Sequence, residues 1–286
     1  MLEFIDSQLA EWPLARENYQ ALGKTERRSM QLGDLMVGIQ HNPARIVSTG
    51  AKTDSKSLSA RPCFLCRKNR PSQQTALDIT DGWELLLNPY PIFPTHFTIV
   101  SKEHRPQEGF PLDMVTMAEK LPGHTVFFNG KVAGASCPDH MHCQAVKTAE
   151  LPLMLLVERS HSKEAGHIAS SESLGLNVPF SFKSVIVTPD LQGMEVLADI
   201  ENIIGKECIK EGRLNAFVWI DGNGLLRICA VPRRAHRPSC YGYDDGQRLI
   251  SPGCIDMAGV LIVPLKKDYD LLTEAEVREI YKECSM

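Results

Sequence analysis

The stretch that decides the fold is NGKVAGASCPDHMHCQ, which spans Asn129–Gln144. Its last five residues place His140, His142 and Gln144 at a spacing of two. Side chains alternate between the two faces of a β-strand, so these three are expected to share one face while the residues between them pack behind. We therefore expect one face of this strand to carry chemistry and the other to belong to the core.

The residues just before the histidines predict an anion-binding turn. Gly134, Ala135 and Ser136 are small, and such a backbone can bring amide and hydroxyl donors close to a ligand. By itself, a pair of histidines on a strand is as typical of an ordinary surface or core as of a functional site. Because a turn built for close backbone approach has little structural use before an ordinary strand, the combination favours a phosphate-handling site.

Composition limits the remaining classes of protein. The 286 residues, 43% of them hydrophobic, can bury the core of one large domain or of two fused small ones. A formal charge of -4, from 35 acidic and 31 basic residues, predicts neither nucleic acid nor a membrane as partner. The sequence shows no secretory pattern at its start and no apolar run of about 20 residues. Nine cysteines, an odd number, favour a reducing compartment, and we expect a cytoplasmic protein.

The predicted elements recur in one order along the chain. The first half contains strand His96–Ser101, helix Leu112–Leu121, and strands Thr125–Asn129 and His140–Lys147. The second half contains strand Ser184–Thr188, helix Leu191–Glu211, and hairpin strands Asn215–Ile220 and Leu225–Val231. We expect an α+β fold of two tandem, mostly antiparallel copies with packed helices, divided into residues 1–150 and 151–286. The second copy has no histidine pair on its corresponding strand, so the first is expected to carry the chemistry.

Other predictions are local. They comprise helix Phe4–Leu22, a short strand Ile46–Ser48, a loop Thr49–Ser59, strands Glu84–Leu87 and Met257–Val263, and a capping box Thr273–Glu276 that opens a C-terminal helix.

The Asn-Gly pair, the Gly-x-Ser turn and the His-x-His-x-Gln strand of Asn129–Gln144 together resemble the transferase branch of the histidine-triad superfamily. This branch includes galactose-1-phosphate uridylyltransferase and the dinucleoside tetraphosphate and GDP-L-galactose phosphorylases, and in it a glutamine replaces the third histidine. Gln144 stands at that position. The resemblance, which extends from about Asn42 to the C-terminus, implies a histidine-triad-like (HIT-like) fold and a homodimer.

The resemblance implies a role for each residue of the stretch. His142 attacks the α-phosphorus of a nucleotide and carries a covalent nucleotidyl group, for which a neutral imidazole is a suitable nucleophile. Gln144 donates an amide hydrogen bond to the phosphoryl oxygens but cannot protonate a leaving group, which favours transfer over hydrolysis. Asn129, Ser136 and the amides near Gly134 contact the phosphate.

One feature departs from that branch. Ser136 and His140 are four residues apart, where the transferases place three, so Cys137 or Asp139 is expected to bulge. Asp139 either accepts a hydrogen bond from a histidine and orients it, or is an ordinary solvated turn residue.

A second group of residues predicts a metal site. Cys63 and Cys66 form a C-x-x-C pair, which presents two thiolates to a tetrahedral zinc but requires two further ligands. A redox pair and two buried thiols are the alternatives. The uridylyltransferases, which the chain resembles here, imply a structural zinc held by these two cysteines, His104 and His140. His96 is a competing ligand, and its match to the superfamily's strand opening implies a fold-bracing role.

Further resemblances concern the substrates. Arg45 lies in an Asn-Pro segment like that of the uridylyltransferases, which implies contact with nucleotide phosphates, and a surface salt bridge is the alternative. Asn88 and Phe93 lie where the superfamily lines its base and ribose pocket, although apolar packing explains Phe93 nearly as well. The basic cluster within Arg233–Arg237 either holds the second phosphate substrate or forms a solvated loop.

These features predict a nucleotidyltransferase or phosphorylase similar to hexose-1-phosphate uridylyltransferases or GDP-hexose phosphorylases. The expected substrates are a nucleotide sugar or related nucleoside diphosphate compound, followed by phosphate or a sugar phosphate. The alternatives are a dinucleoside polyphosphate phosphorylase or hydrolase, and a non-catalytic nucleotide-binding zinc protein. Gln144 argues against the hydrolase.

Overall fold

The computed structural model describes residues 1–51, 54–161, 166–187, 198 and 201–286. Its strands are β1 (Glu26–Leu32), β2 (Leu35–His41), β3 (Ala76–Thr80), β4 (Trp83–Leu87), β5 (His96–Ser101), β6 (His124–Asn129), β7 (His142–Lys147), β8 (Ile168–Ser170), β9 (Lys183–Val187), β10 (Leu214–Ile220), β11 (Leu226–Pro232) and β12 (Val260–Val263). Its helices include α1 (Leu2–Glu11), α2 (Pro13–Ala21), α3 (Ile46–Thr49), α4 (Ser55–Ser59), α5 (Met114–Lys120), α6 (Pro152–Ser160), α7 (Lys206–Glu211), α8 (Cys254–Met257), α9 (Lys266–Leu271) and α10 (Glu274–Cys284). Within these residues, no helix combines the length and the apolar character that crossing a membrane requires.

The larger sheet has nine strands in the order β3-β4-β5-β7-β6-β10-β11-β9-β8, and neighbouring strands are antiparallel. Counted outward from the middle, β6-β7-β5-β4 on one side corresponds to β10-β11-β9-β8 on the other. The two series meet where β6 pairs with β10, with Phe127 opposite Phe217. This is the predicted α+β arrangement of two mostly antiparallel copies, whereas the boundary between residues 150 and 151 stays a prediction.

The smaller sheet joins the two ends of the chain. Its order is β1-β2-β12, and β12 runs parallel to β2 with Leu261 opposite Ile39. It packs on one face of the larger sheet, where Ile39 and Leu261 share a hydrophobic cluster with Phe127 and Phe217. Helices α1, α2 and α5 pack on the opposite face. The apolar residues that drive this packing alternate along the central strands, as burial on two faces requires.

Strand β7 shows the alternation that its sequence predicts. Cys143 and Ala145 belong to the cluster on the helical face, and Val146 belongs to the cluster under the smaller sheet. Since side chains two residues apart share a face, His142 and Gln144 lie on the side of the smaller sheet. The site is therefore built between the two sheets and their connecting loops.

Several local predictions are confirmed. The strands near Glu84, His96, Thr125 and Asn215 are present within two residues of their predicted ends. The capping box is also present, because the Thr273 side chain accepts a hydrogen bond from the amide of Glu276. Residues 191–197, 199 and 200 of the predicted helix Leu191–Glu211, and the last residue of the predicted strand Ser184–Thr188, lie outside the described residues, and the end of that predicted helix is α7.

Other local predictions are wrong. Ile46–Ser48 is helical within α3, and the side chains of Ile46 and Val47 are exposed instead of packing on a sheet. The predicted loop Thr49–Ser59 includes helix α4, which Asp54 caps. Helix Phe4–Leu22 is broken into α1 and α2 at the extended residue before Pro13, since a proline disfavours helical backbone there.

The N-terminal hairpin of β1 and β2 was not predicted at all. Strand β1 is mostly exposed, so its sequence lacks the alternation of a half-buried strand.

Candidate functional site

The structure brings Cys63, Cys66, His104 and His140 together at one end of β5 and β7. One ligand atom from each lies within 4.8 Å of the other three. Cys63 Sγ is 3.3 Å from His140 Nδ1, Cys66 Sγ is 3.2 Å from His104 Nδ1, and the two Nδ1 atoms are 3.3 Å apart. His140 Nε2 lies 2.8 Å from the carbonyl oxygen of Ser101 and donates its proton there, which leaves Nδ1 as a lone pair that faces the thiols. This group can hold a metal ion.

The extra residue before His140 is accommodated in a turn against this group. The His140 amide donates to the carbonyl of Cys137 at 3.1 Å, and the Cys137 Sγ lies 3.9 Å from that of Cys63. Asp139 accepts from Arg61 at 3.1 Å and from the Cys137 thiol at 3.2 Å, so its partners are not the histidines. Hydrogen bonding to Cys137 lowers the pKa of the Cys63 thiol to about 2, against the opposing effect of burial. The insertion thus supports a thiolate in the metal group.

His142 is held as a neutral imidazole. Its Nδ1 lies 2.8 Å from the carbonyl oxygen of His140 and donates its proton to it, so the lone pair is on Nε2. Burial lowers the pKa of the imidazole, which is 3% exposed. The side chain of Gln107 fixes the backbone here, accepting from the His142 amide at 2.8 Å and donating to the carbonyls of His142 and Asn129 at 2.9 Å. No sequence motif marked Gln107, which connects β6 and β7 from a loop.

The orientation of the Gln144 amide follows from a chain of hydrogen bonds. The amide of Ile92 donates to His96 Nδ1 at 3.2 Å, so the proton of this imidazole is on Nε2. His96 Nε2 in turn donates to Gln144 Oε1 at 2.8 Å. Burial lowers the pKa of His96 to about 3, which keeps it neutral. Since the oxygen of Gln144 is occupied, its NH₂ group is left to donate elsewhere, and Gln144 lines a cavity.

The Asn129 side chain is oriented in the same way from the other half of the sheet. Its Oδ1 accepts from the Cys254 amide at 2.7 Å and from Asn215 Nδ2 at 3.0 Å. The NH₂ group of Asn129 has no acceptor among the described residues and borders the same cavity. Nearby, Gly134 has a φ of 102°, and a Cβ on it would lie 2.7 Å from the Cα of Gly253. Only glycine permits this close approach of the two loops.

The cavity between the two sheets has a volume of about 70 Å³. Its polar lining consists of Asn129, Ser136 and Gln144 from the first half, Arg45, Ser48 and Thr49 from the N-terminal segment, and His236, Arg237, Ser251 and Asp256 from the second half. Burial raises the pKa of the Asp256 carboxyl to about 6. Two guanidinium groups and one carboxyl group therefore line the cavity, and this excess of positive charge favours an anionic ligand. His142 lies two residues before Gln144 on the same strand face, but it is buried and does not itself line the cavity.

The remaining predicted site residues are placed differently. Phe93 is 1% exposed and packs in the core, with the Arg27 guanidinium 5.7 Å from its ring, while its neighbour Ile92 lines the cavity. Asn88 lies behind Gln144, with its Nδ2 3.5 Å from Gln144 Oε1. Neither side chain borders the cavity, because the Pro-rich connection turns them toward the core.

The basic cluster of the second half divides into three parts. Arg233 is fully buried and donates to the backbone carbonyls of Cys284 and Pro252, so it braces the loop. Arg234 is exposed outside the cavity, and His236 and Arg237 line it. Ser251 and Asp256 were missed as site residues, since their loop carries no recognisable spacing of chemical groups.

A family model described as a domain of unknown function, DUF4922, matches residues 4–147, half of the 286-residue chain. The chain belongs to the DUF4922 family. No curated protein matches it by sequence. Among solved structures, yeast Ap4A phosphorylase Apa2 in complex with Ap4A is similar with a TM-score of 0.62 at 16% identity, covering 96% of this chain and 96% of that chain. The same yeast enzyme in complex with AMP gives a TM-score of 0.58 at 18% identity, covering 96% and 97%.

These likenesses extend over nearly the full length of both chains and show the fold of this DUF4922 protein. It is the HIT-like fold of the branch that the Asn129–Gln144 stretch resembles.

Proposed function

We propose that this protein is a nucleotidyltransferase or phosphorylase that works through a covalent nucleotidyl-His142 intermediate. The observation that carries the proposal is the pairing of a deprotonated His142 Nε2 with the adjacent Gln144, whose amide oxygen is occupied by His96. The likeness to an Ap4A phosphorylase in complex with Ap4A and with AMP supports a nucleotide compound as substrate.

In the first step the lone pair of His142 Nε2 forms a bond to the α-phosphorus. The bond from this phosphorus to the bridging oxygen breaks, and that oxygen leaves with the electron pair as part of a phosphate compound. Charge on the non-bridging oxygens is stabilised by the NH₂ groups of Gln144 and Asn129 and by the hydroxyl of Ser136. In the second step an oxygen of phosphate or a sugar phosphate attacks the same phosphorus and restores the free imidazole. Because the Gln144 amide has no proton to give a leaving group, transfer is favoured over hydrolysis.

Zinc is the metal that we propose for the group of Cys63, Cys66, His104 and His140. Tetrahedral zinc bonds of about 2.0–2.3 Å place ligand atoms about 3.3–3.8 Å apart. Four of the six distances between these sulfur and nitrogen atoms are 3.2–3.6 Å, and all six are within 4.8 Å, so the residues fit such an ion. With all four positions taken by protein ligands, its role would be structural. Since the carbonyl of His140 orients the ring of His142, the metal would hold the nucleophile in place.

The substrate remains a choice between two classes. A nucleotide sugar with phosphate or sugar phosphate as acceptor is the first candidate, and the likeness to the Ap4A phosphorylase favours a dinucleoside polyphosphate as the second. In both cases Arg45 would contact the phosphates from the N-terminal wall of the cavity. A homodimer and a cytoplasmic location stay predictions.

Labelling of the protein tests the proposal. The purified protein would be incubated with α-³²P-labelled UDP-glucose, GDP-hexose, ATP or Ap4A, and acid-labile label on the chain would be counted. We expect label with at least one nucleotide, its loss in His142→Ala, and its retention in His167→Ala, which changes an exposed histidine elsewhere. Absence of label with every nucleotide, or persistence of label in His142→Ala, would overturn the proposed intermediate.

A further inference from the structure

The second half of the chain forms one wall of the cavity, and this wall contains side chains that have no role in the reaction proposed above. Arg237 is held on several sides: its Nε donates to Ser251 Oγ at 3.1 Å, its NH2 donates to the carbonyl of Ala51 at 2.8 Å, and its guanidinium lies 4.1 Å from the centre of the Tyr241 ring. Its remaining nitrogen, NH1, has no acceptor among the described residues. A guanidinium fixed in this way presents a charged donor at little cost in conformational entropy.

Ser251 connects Arg237 to His236. Ser251 Oγ accepts from Arg237 Nε and lies 3.0 Å from His236 Nε2, and a serine hydroxyl can donate as well as accept. When the Ser251 proton goes to Nε2, the proton of His236 is on Nδ1. Burial lowers the pKa of His236 to about 4, so the imidazole is neutral near pH 7. Arg237, Ser251 and His236 all line the cavity.

The position of this wall relative to the nucleophile is fixed by the contact between the two loops. The Cys254 amide donates to Asn129 Oδ1 at 2.7 Å, and Gly134 packs directly on Gly253. The loop of Ser251 is thereby tied to the loop whose donors face the α-phosphate. One cavity then has two sets of donors, one beside Gln144 and one at Arg237.

We propose that Arg237, Ser251 and His236 bind the phosphate group of the acceptor, the second substrate of the reaction. This rests on the proposed function and names the chemical class of that substrate. A phosphate dianion matches a fixed guanidinium with neutral donors beside it, because charge-assisted hydrogen bonds from arginine suit phosphate oxygens. An uncharged acceptor, such as water or a sugar hydroxyl without phosphate, would leave the charge of Arg237 unpaired. Inorganic phosphate and a hexose 1-phosphate both present the required group.

The test separates binding of the acceptor from formation of the nucleotidyl-enzyme. Wild-type protein, Arg237→Gln and Arg234→Gln would first be labelled with the nucleotide donor and then mixed with inorganic phosphate, a hexose 1-phosphate or the free hexose. Arg234 is the matched control, because its side chain is exposed outside the cavity. Because the acceptor phosphate attacks from the side on which the first phosphate compound left, Arg237 can act in both steps, so discharge is measured on protein that is already labelled. We expect the phosphate concentration needed for half-maximal discharge to rise about tenfold or more in Arg237→Gln. Arg234→Gln should behave as wild type.

Comparison of inorganic phosphate with the hexose 1-phosphate shows which of the two is the acceptor. Discharge by inorganic phosphate indicates a phosphorylase, and discharge by the hexose 1-phosphate alone indicates a transferase. The proposal is wrong if Arg237→Gln responds to both acceptors as wild type does, or if the free hexose discharges the label equally well.

A direct binding measurement keeps the subsite testable if no label forms. Titration of the unlabelled protein with inorganic phosphate, followed by calorimetry, should show binding in wild type that weakens about tenfold or more in Arg237→Gln. Equal binding by the two proteins, or none by wild type, would refute the subsite independently of the intermediate. Ser251→Ala provides a second variant that removes the bridging hydroxyl, and it should weaken binding in the same direction.

Discussion

The pairing of His96 with Gln144 can be removed with little change in core volume by the substitution His96→Phe. This change removes the acceptor of the Ile92 amide and the donor to Gln144 Oε1. His96 is fully buried, so no water replaces these partners at the surface. We expect the Gln144 amide to rotate and to present its NH₂ group to the cavity for only part of the time.

The size of the effect follows from these contacts. An unsatisfied buried Ile92 N–H costs about 1–3 kcal/mol of folding free energy. Loss of the hydrogen bond to Gln144 Oε1 should cost less folding free energy, because Asn88 Nδ2 is 3.5 Å away and can turn toward this oxygen. We therefore expect a loss of about 2–4 kcal/mol in stability. Loss of one donor to the transition state is worth about 10²–10³ in rate, and a partly misoriented amide should approach the lower limit.

The assay is a double-mutant cycle with His96→Phe, Gln144→Ala and the combined variant. Stability would be measured by urea unfolding, and the rate of label formation by rapid quenching. If His96 acts through Gln144, the combined variant should form label no more slowly than Gln144→Ala alone. Rate effects that simply add, or a wild-type rate in His96→Phe, would refute the reasoning about amide orientation.

Two other predictions concern the metal group and the buried carboxyl group. Cys66→Ser should weaken metal binding by about tenfold or more, because it removes one ligand. It should also lower the melting temperature and the rate of label formation, because His140 orients His142. Metal content is measured by mass spectrometry with Cys208→Ser as the control, and a metal-loaded Cys66→Ser with normal stability would contradict the prediction. Asp256 has a folded pKa of about 6, raised from 3.8, so the stability from its protonated form is present below about pH 4 and is lost as the pH rises through 6. Between pH 4 and pH 7 the unfolding free energy of wild type should therefore fall by up to about 3 kcal/mol relative to that of Asp256→Asn. Urea unfolding at several pH values measures both. If the two unfolding free energies change in parallel with pH, the raised pKa of Asp256 is ruled out.

The local elements of the fold could be predicted because interactions between residues close together in the sequence specify them. The alternation in β7 and the hairpin of β10 and β11 depend on periodicity and on turn residues. The Cys63 and Cys66 pair has a spacing that few uses other than a metal explain. The prediction of strand Ile46–Ser48 failed because β-branched residues favour a strand where a sheet face half buries them, whereas Ile46 and Val47 are exposed.

The sequence identified only some of the residues of the candidate site. His142 and Gln144 were found from their spacing, but the residues that orient them, Gln107 and His96, act across loops and strands far apart along the chain. Phe93 was assigned to the nucleoside pocket, yet it packs into the core while Ile92 reaches the cavity. Which of two neighbouring side chains faces a cavity depends on the turn that carries them, and a Pro-rich segment has no periodicity from which to read it.

By itself the sequence determined the polar face of β7 and the order of the strands in the two copies, because each of these depends on residue type and spacing along a few residues. The resemblance supplied His104 and His140 as partners of the Cys63 and Cys66 pair. Only the tertiary structure decided that the amides of Gln144 and Asn129 both turn their NH₂ groups toward one cavity. It also decided that Arg237, and not Arg233, faces that cavity. Orientation is set by the partner at the other end of each hydrogen bond, and those partners come from distant segments that only folding brings into contact.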